Sequence, residues 1–388
     1  MRNYLSYLSI SLMLTTTAVF AQKTPLQQIE WSVAAKLQNE DGSTSIGFAG
    51  AINAVLADQL IIAGGANFPD KMPWEGGRKQ YSKEIHILEK SGLSFTWKKP
   101  AGQLPEAIAY CGNTSTKAGL VYAGGENEQG LSDKAFLLNW NSSADKIEVK
   151  PLPNLPLALT NLALTAIGKV VYAVGGDGLT HSSDAIFSLD LEAPAAQWKA
   201  HPNLPVSLAN AVVVTDGKTM IYVIGGRTKN PSGISGLNSS TFVYDTLKQS
   251  WTRLADISEG EKSLNFSAGA GIMAGQDQIL LLGGDNGKVF HQIETYLSKI
   301  SKCEDATERA SLTTEKNKLS TQHQGFYRGI LQYRISTNTW TKIGELPFPA
   351  QVTASAVKWE GKMMLSSGEI KPGVRTPNIM SGKITNKK

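Results

Sequence analysis

Five stretches decide the fold: Leu60-Ile-Ile-Ala-Gly-Gly65, Leu120-Val-Tyr-Ala-Gly-Gly125, Val171-Tyr-Ala-Val-Gly-Gly176, Ile221-Tyr-Val-Ile-Gly-Gly226 and Ile279-Leu-Leu-Leu-Gly-Gly284. Each is a short apolar run that ends in paired glycine. A sixth, Met363-Met-Leu-Ser-Ser-Gly368, keeps only the second glycine. The first positions of the pairs are 64, 124, 175, 225, 283 and 367, so the spacings are 60, 51, 50, 58 and 84. Runs of this length, rich in β-branched residues and closed by glycine, read as buried strands.

A recurrence near 50 residues is the mark of kelch-type propeller blades. A tryptophan follows each glycine pair, at Trp97, Trp140, Trp198, Trp251 and Trp340, and several precede a Leu-Pro step, as at Leu104-Pro105, Leu204-Pro205 and Leu346-Pro347. The third repeat shows a whole blade, with strands over 161–168, 169–176, 185–191 and 197–202. Glycine lets neighbouring backbones approach closely and supplies turn conformations. The tryptophan is expected to pack between blades.

The last repeat lacks a tryptophan strand, and the N-terminal segment around Trp31 to Leu37 supplies one. The expected fold is therefore all-β, a six-bladed kelch-type β-propeller closed by the N-terminal strand, in a single domain over 22–388. The longest spacing holds an insertion at 288–327, where Ile293, Tyr296, Leu297 and Ile300 follow helical spacing. It reads as one or two helices between strands two and three of blade five. Its role is either surface decoration or a lid or homodimer contact.

Composition agrees. The chain has 388 residues with 37 Gly and 16 Pro, 41% hydrophobic and 18% charged. That excludes disorder and disfavours a helical bundle. Two cysteines, Cys111 and Cys303, exclude a disulfide scaffold, and both are expected as buried free thiols. The net charge of +5 comes without a basic run, so nucleic acid is not expected as a partner. Residues 1–21 read as a signal peptide, with Arg2, an apolar run to Phe20, and small residues at Val19 and Ala21 before the cleavage point. Export to the periplasm, with no membrane span, follows as an expectation.

In such a ring the residues after each glycine pair meet at one opening: Ala66-Asn67-Phe68, Glu126-Asn127, Asp177-Gly178, Arg227-Thr228, Asp285-Asn286 and Glu369-Ile370. A polar rim of mixed charge suits a hydroxyl-rich ligand, although Asp, Asn and Gly are also ordinary turn formers. The sixth loop, Gly368-Glu-Ile-Lys-Pro-Gly-Val-Arg-Thr376, is more specific. Its Lys-Pro-Gly turn lets Glu369 and Arg375 face one space, either as a surface ion pair or as a general base beside an anion clamp. The five histidines show no ligand spacing, and neither metal nor cofactor is expected.

The Gly-Glu-x-Lys-Pro-Gly-x-Arg-Thr motif, six kelch-like repeats and a signal peptide together resemble the bacterial N-acetylneuraminate epimerases, or sialic acid mutarotases. Gly47-Phe-Ala-Gly50, Ala63-Gly-Gly-Ala66, Phe68, Lys79, Tyr81-Ser82 and Ile85-His86 are similar to that family's first repeat. The motif lies near the C-terminus rather than mid-chain, as in a circularly permuted member. The resemblance implies interconversion of the α and β anomers of a sialic acid. Glu369 would be the base and Arg375 would hold the substrate carboxylate, with Arg227 as a second candidate. Asn67, Lys79, Glu126 and Asp177 would bind hydroxyl and N-acetyl groups. The alternative is a glycan-binding propeller without turnover.

Overall fold

In a computed structural model of the chain, residues 27–92, 94–98 and 102–386 are described. They form six four-stranded antiparallel blades. The signal-peptide reading of residues 1–21 lies outside them. In blades one to five the strands run in chain order. Blade one is Ile52–Leu56, Gln59–Ala63, Ile85–Ser91 and Ser94–Lys98. Blade five is Ala270–Met273, Gln278–Leu282, Gly329–Arg334 and Thr339–Glu345. Blade six takes three strands from the C-terminal segment, Ala356–Trp359, Lys362–Ser366 and Asn378–Asn386, and its outer strand from the N-terminal Gln27–Lys36. That closing strand pairs antiparallel with Asn378–Asn386, Trp31 opposite Gly382. Innermost strands of successive blades adjoin, and Ala356–Trp359 meets Ile52–Leu56 to shut the ring.

The strand-two runs are the core, with Leu60, Ile61, Ile62, Leu120, Val121 and Ile279 to Leu282 fully buried. Each glycine pair follows such a run, and both members have positive φ. A Cβ on Gly175 would stand 2.2 Å from the Leu208 carbonyl of the next inter-blade segment, and one on Gly225 would stand 2.2 Å from that of Phe266. Only glycine fits both the conformation and the approach. The tryptophans tie blades together as expected. Four of the five donate their indole N–H to a carbonyl at or just past the end of the preceding blade's outer strand: Trp97 to Lys36 (3.0 Å), Trp198 to Pro153 (2.8 Å), Trp251 to Pro202 (3.1 Å) and Trp340 to Ala255 (3.0 Å).

The insertion is two helices, α1 (Lys288–Lys302) and α2 (Ala306–Thr321), between strands two and three of blade five. Asp305 caps α2 through the Glu308 N–H at 2.7 Å. Cys111 and Cys303 are free, but only Cys111 is buried. Cys303 caps the C-terminus of α1 and is partly exposed. No helix among the described residues is long and apolar enough to cross a membrane.

The centre holds a feature that no motif announces. Gly50, Tyr110, Asn161, Asn210, Ala268 and Thr353, one from each inter-blade segment, all have φ between 52 and 63°. Each donates its N–H to the carbonyl of the one before, and Gly50 donates to Thr353, at 2.8–3.0 Å throughout. Six blades are thus locked by a closed ring of six hydrogen bonds. It lies between two cavities on the propeller axis: one of about 550 Å³ among the innermost strands, and one of about 460 Å³ under the post-glycine loops.

Candidate active site

The residue after each glycine pair forms a two-way backbone bridge with the residue preceding a ring member. The bridges are Ala49–Ala66, Ala109–Glu126, Thr160–Asp177, Ala209–Arg227, Ser267–Asp285 and Val352–Glu369. Ala66, Glu126, Asp177, Arg227, Asp285 and Glu369 therefore occupy six equivalent positions around one opening. The repeat pattern predicts that they meet, and the structure brings them there.

Glu369 and Arg375 face each other across a two-stranded hairpin whose turn carries Pro372 and Gly373. Gly373 has φ 83°, the left-handed position that a proline-led type II turn requires. Oε1 of Glu369 accepts the Gly373 N–H at 2.6 Å and lies 3.5 Å from Nη1 of Arg375. Glu369 lines the cavity. Arg375 stands behind it, its side chain only 4% exposed, with Nε donating to the Ala66 carbonyl at 3.2 Å and its guanidinium over the Phe68 ring at 4.9 Å. It is thus a buried support for the carboxylate rather than a cation open to the cavity.

Arg227 does line the cavity. Its Nη2 bonds Oδ2 of Asp177 at 2.5 Å, and the Phe290 ring lies 5.8 Å from its guanidinium carbon. Asp177 is 2% exposed and spent on this pair, on Ser182 and on Asn161. Lys79 and Glu126 also line the cavity, paired at 2.6 Å, with the Tyr81 hydroxyl donating to the same carboxylate oxygen at 2.8 Å. Burial pushes the Glu126 pKa up, but the Lys79 and Tyr81 contacts outweigh it and hold it below its ordinary value. Lys79 sits 5.1 Å from the ring centres of both Tyr81 and Tyr110. Asn67 is buried, and its amide donates to the Gly47 carbonyl at 3.1 Å. Of the seven sequence candidates, Lys79, Glu126, Arg227 and Glu369 reach the cavity, while Asn67, Asp177 and Arg375 brace it.

Of the other lining groups, Asp285 is one the sequence places at the opening without giving it a role, whereas Tyr110, Asn161 and Asn210, and Phe290, Ile293, His323 and Phe326 from the insertion, are not picked out by the sequence as site residues. Asn161 and Asn210 carry a faint signal, since Asn tolerates left-handed φ. Nothing marks Tyr110. Burial pushes the Tyr110 pKa upward, so it stays a neutral phenol. The insertion is a wall of the cavity and not decoration. Glu294 of α1 accepts from Ser235 N and Oγ, both at 2.8 Å, which ties it to blade four, and Asn317 of α2 donates to the Trp74 carbonyl of blade one at 3.4 Å.

The arrangement offers three carboxyl groups (Glu126, Asp285 and Glu369), two cations (Lys79 and Arg227) and a patch of aromatic and aliphatic surface around a chamber large enough for one sugar. The family model described as N-acetylneuraminate epimerase matches residues 10–147 and 152–388. The chain belongs to the N-acetylneuraminate epimerase family. Among curated relatives, the N-acetylneuraminate epimerase of Haemophilus influenzae (strain PittEE) is 30% identical over 235 residues, 61% of this chain and 60% of that protein. Those of Brucella melitensis biotype 1 and Salmonella typhi are 26% and 25% identical over 235 and 231 residues, covering 60% and 59% of this chain and 58% and 57% of theirs. The chain thus spans about three fifths of the length of the curated relatives it matches.

Proposed function

We propose that the protein interconverts the α and β anomers of N-acetylneuraminate by acid–base opening and closure of the sugar ring. The observation that carries this reading is Glu369. It is a carboxylate lining a closed-ended chamber, fixed by the Gly373 N–H and backed by Arg375. As base it removes the proton of the anomeric hydroxyl. Arg227 and Lys79 are the cations that face the chamber, so they hold the substrate carboxylate, and Arg375 positions Glu369. The Asn161 and Asn210 amides and the Phe290, Ile293 and Phe326 wall suit the hydroxyl groups and the N-acetyl methyl respectively. A periplasmic location, inferred from residues 1–21, would bring the site to sugars before uptake.

Exchange spectroscopy by NMR tests this on purified protein and N-acetylneuraminate. The wild-type chain should accelerate anomer exchange, and Glu369→Gln should lose about 100-fold or more of it while still binding the sugar. Binding without acceleration by the wild type would make the propeller a glycan-binding module instead.

A further inference from the structure

The six equivalent post-glycine positions carry four carboxyl groups, and three have a cation. Glu126 pairs with Lys79, Asp177 with Arg227 and Glu369 with Arg375. The fourth, Asp285 of blade five, has no ion pair among the described residues. Its Oδ1 accepts the Gly287 N–H at 2.7 Å, and its side chain lines the cavity next to Glu369 of blade six. The charges that act on it are Glu369 from the blade-six hairpin and Glu294 from α1, while Lys79, Glu126, Arg227 and His323 line the same cavity. Arg227 is ion-paired with Asp177 and not with Asp285.

Resting on the ring-opening reading of the cavity, we propose that Asp285 is the acid that protonates the sugar's ring oxygen, working opposite Glu369. Glu369 takes the anomeric O–H proton, and that electron pair forms the carbonyl. The bond from the anomeric carbon to the ring oxygen breaks, and the ring oxygen takes the Asp285 proton to become a hydroxyl. After rotation the hydroxyl adds to the other face of the ketone. Asp285 recovers its proton from it, and Glu369 returns its own to the carbonyl oxygen. No net proton, electron or co-reactant is consumed.

The surroundings sort the candidates. Burial first, then the negative charges of Glu369 and Glu294, push the Asp285 pKa upward against the pull of the Gly287 N–H, which favours the protonated form that an acid needs. Glu126 is held ionised by Lys79 and Tyr81. Tyr110 is made a weaker acid by burial. His323 takes the Gly325 N–H on Nδ1 at 3.0 Å, and burial together with Lys371 lowers its pKa, so it is a neutral ring at neutral pH. Two carboxyl groups on adjacent blades, one backed by a cation and one without, divide the acid and base roles.

Asp285→Asn keeps an acceptor for the Gly287 N–H and removes the proton. Anomer exchange should fall by about 100-fold, with sugar affinity and melting temperature near wild type. The wild-type rate should also decline as pH rises through the Asp285 pKa, and the residual Asp285→Asn rate should lack that alkaline limb. Asp285→Glu should restore activity with the limb displaced. A wild-type rate or a retained limb in Asp285→Asn, with Glu369→Gln inactive, overturns the role of Asp285 alone. Wild-type rates in both variants overturn the ring-opening site and this proposal with it.

Discussion

Ser367 stands where the other five blades have the first glycine of the pair. Its φ is 57°, a left-handed conformation that costs a non-glycine residue free energy. The hydroxyl offsets that cost. Ser367 is fully buried, and Oγ accepts the Phe48 N–H at 2.8 Å and lies 3.0 and 2.8 Å from the Phe48 and Thr376 carbonyls. It clamps the start of the Glu369 hairpin to the loop that begins blade one. Ser367→Ala leaves the Phe48 N–H without its partner and keeps the backbone cost, so it should lose about 1–3 kcal/mol of stability. Ser367→Gly should lose less, because glycine adopts this φ freely. Urea denaturation of the two variants checks the order. Arg375, a few residues on, is legible in the sequence as a partner of Glu369 but not in its role. The six-residue separation and the Pro-Gly turn put the two side chains together. Whether the guanidinium opens to the chamber depends on Ala66 and Phe68, more than 300 residues away in the chain.

At the level of elements, the closing strand and the insertion behave differently. Gln27–Lys36 pairs with Asn378–Asn386 along its whole length, apart from one irregularity between Val33 and Ala35, and Trp31 meets Phe348 edge-on at 5.2 Å. Removing it exposes the edge of Asn378–Asn386 and strips one side of the blade-six core. A chain that begins after Lys36 should lose about 5 kcal/mol or more and melt at least about 10 °C lower. An unchanged melting curve would contradict closure by this strand. Its tryptophan and its Leu37 carry the pattern of the other outer strands, which is why the pairing is legible in the sequence alone. The helical spacing of Ile293, Tyr296, Leu297 and Ile300 likewise marks α1. It says nothing of the direction in which the helix lies, and only docking against Ser235 and Trp74 turns Phe290 and Phe326 inward.

For the whole molecule, a ring held by six equivalent blade contacts should not depend on where the chain opens. Gln27 and Asn386 are register partners, so the outer ends of these two strands are already adjacent. Joining those strands by a short turn and opening the chain at Pro194, between the third and fourth strands of blade three, moves the closure from one blade to another. This permutant should fold, lose no more than about 2 kcal/mol and keep anomer exchange, measured by calorimetry and the NMR assay. Local sequence by itself determined the blades, because a buried strand must be apolar and a crowded turn must be glycine, and both leave marks every 50 residues or so. It also determined which residue of each repeat stands at the opening. The tertiary structure alone decided which of those side chains reach the chamber and which are spent on neighbours. It alone closed the ring through Gly50, Tyr110, Asn161, Asn210, Ala268 and Thr353, and among the described residues it left Asp285 without a cation. These outcomes depend on distances between blades. A blade's own sequence carries no record of what the next blade brings within hydrogen-bond reach.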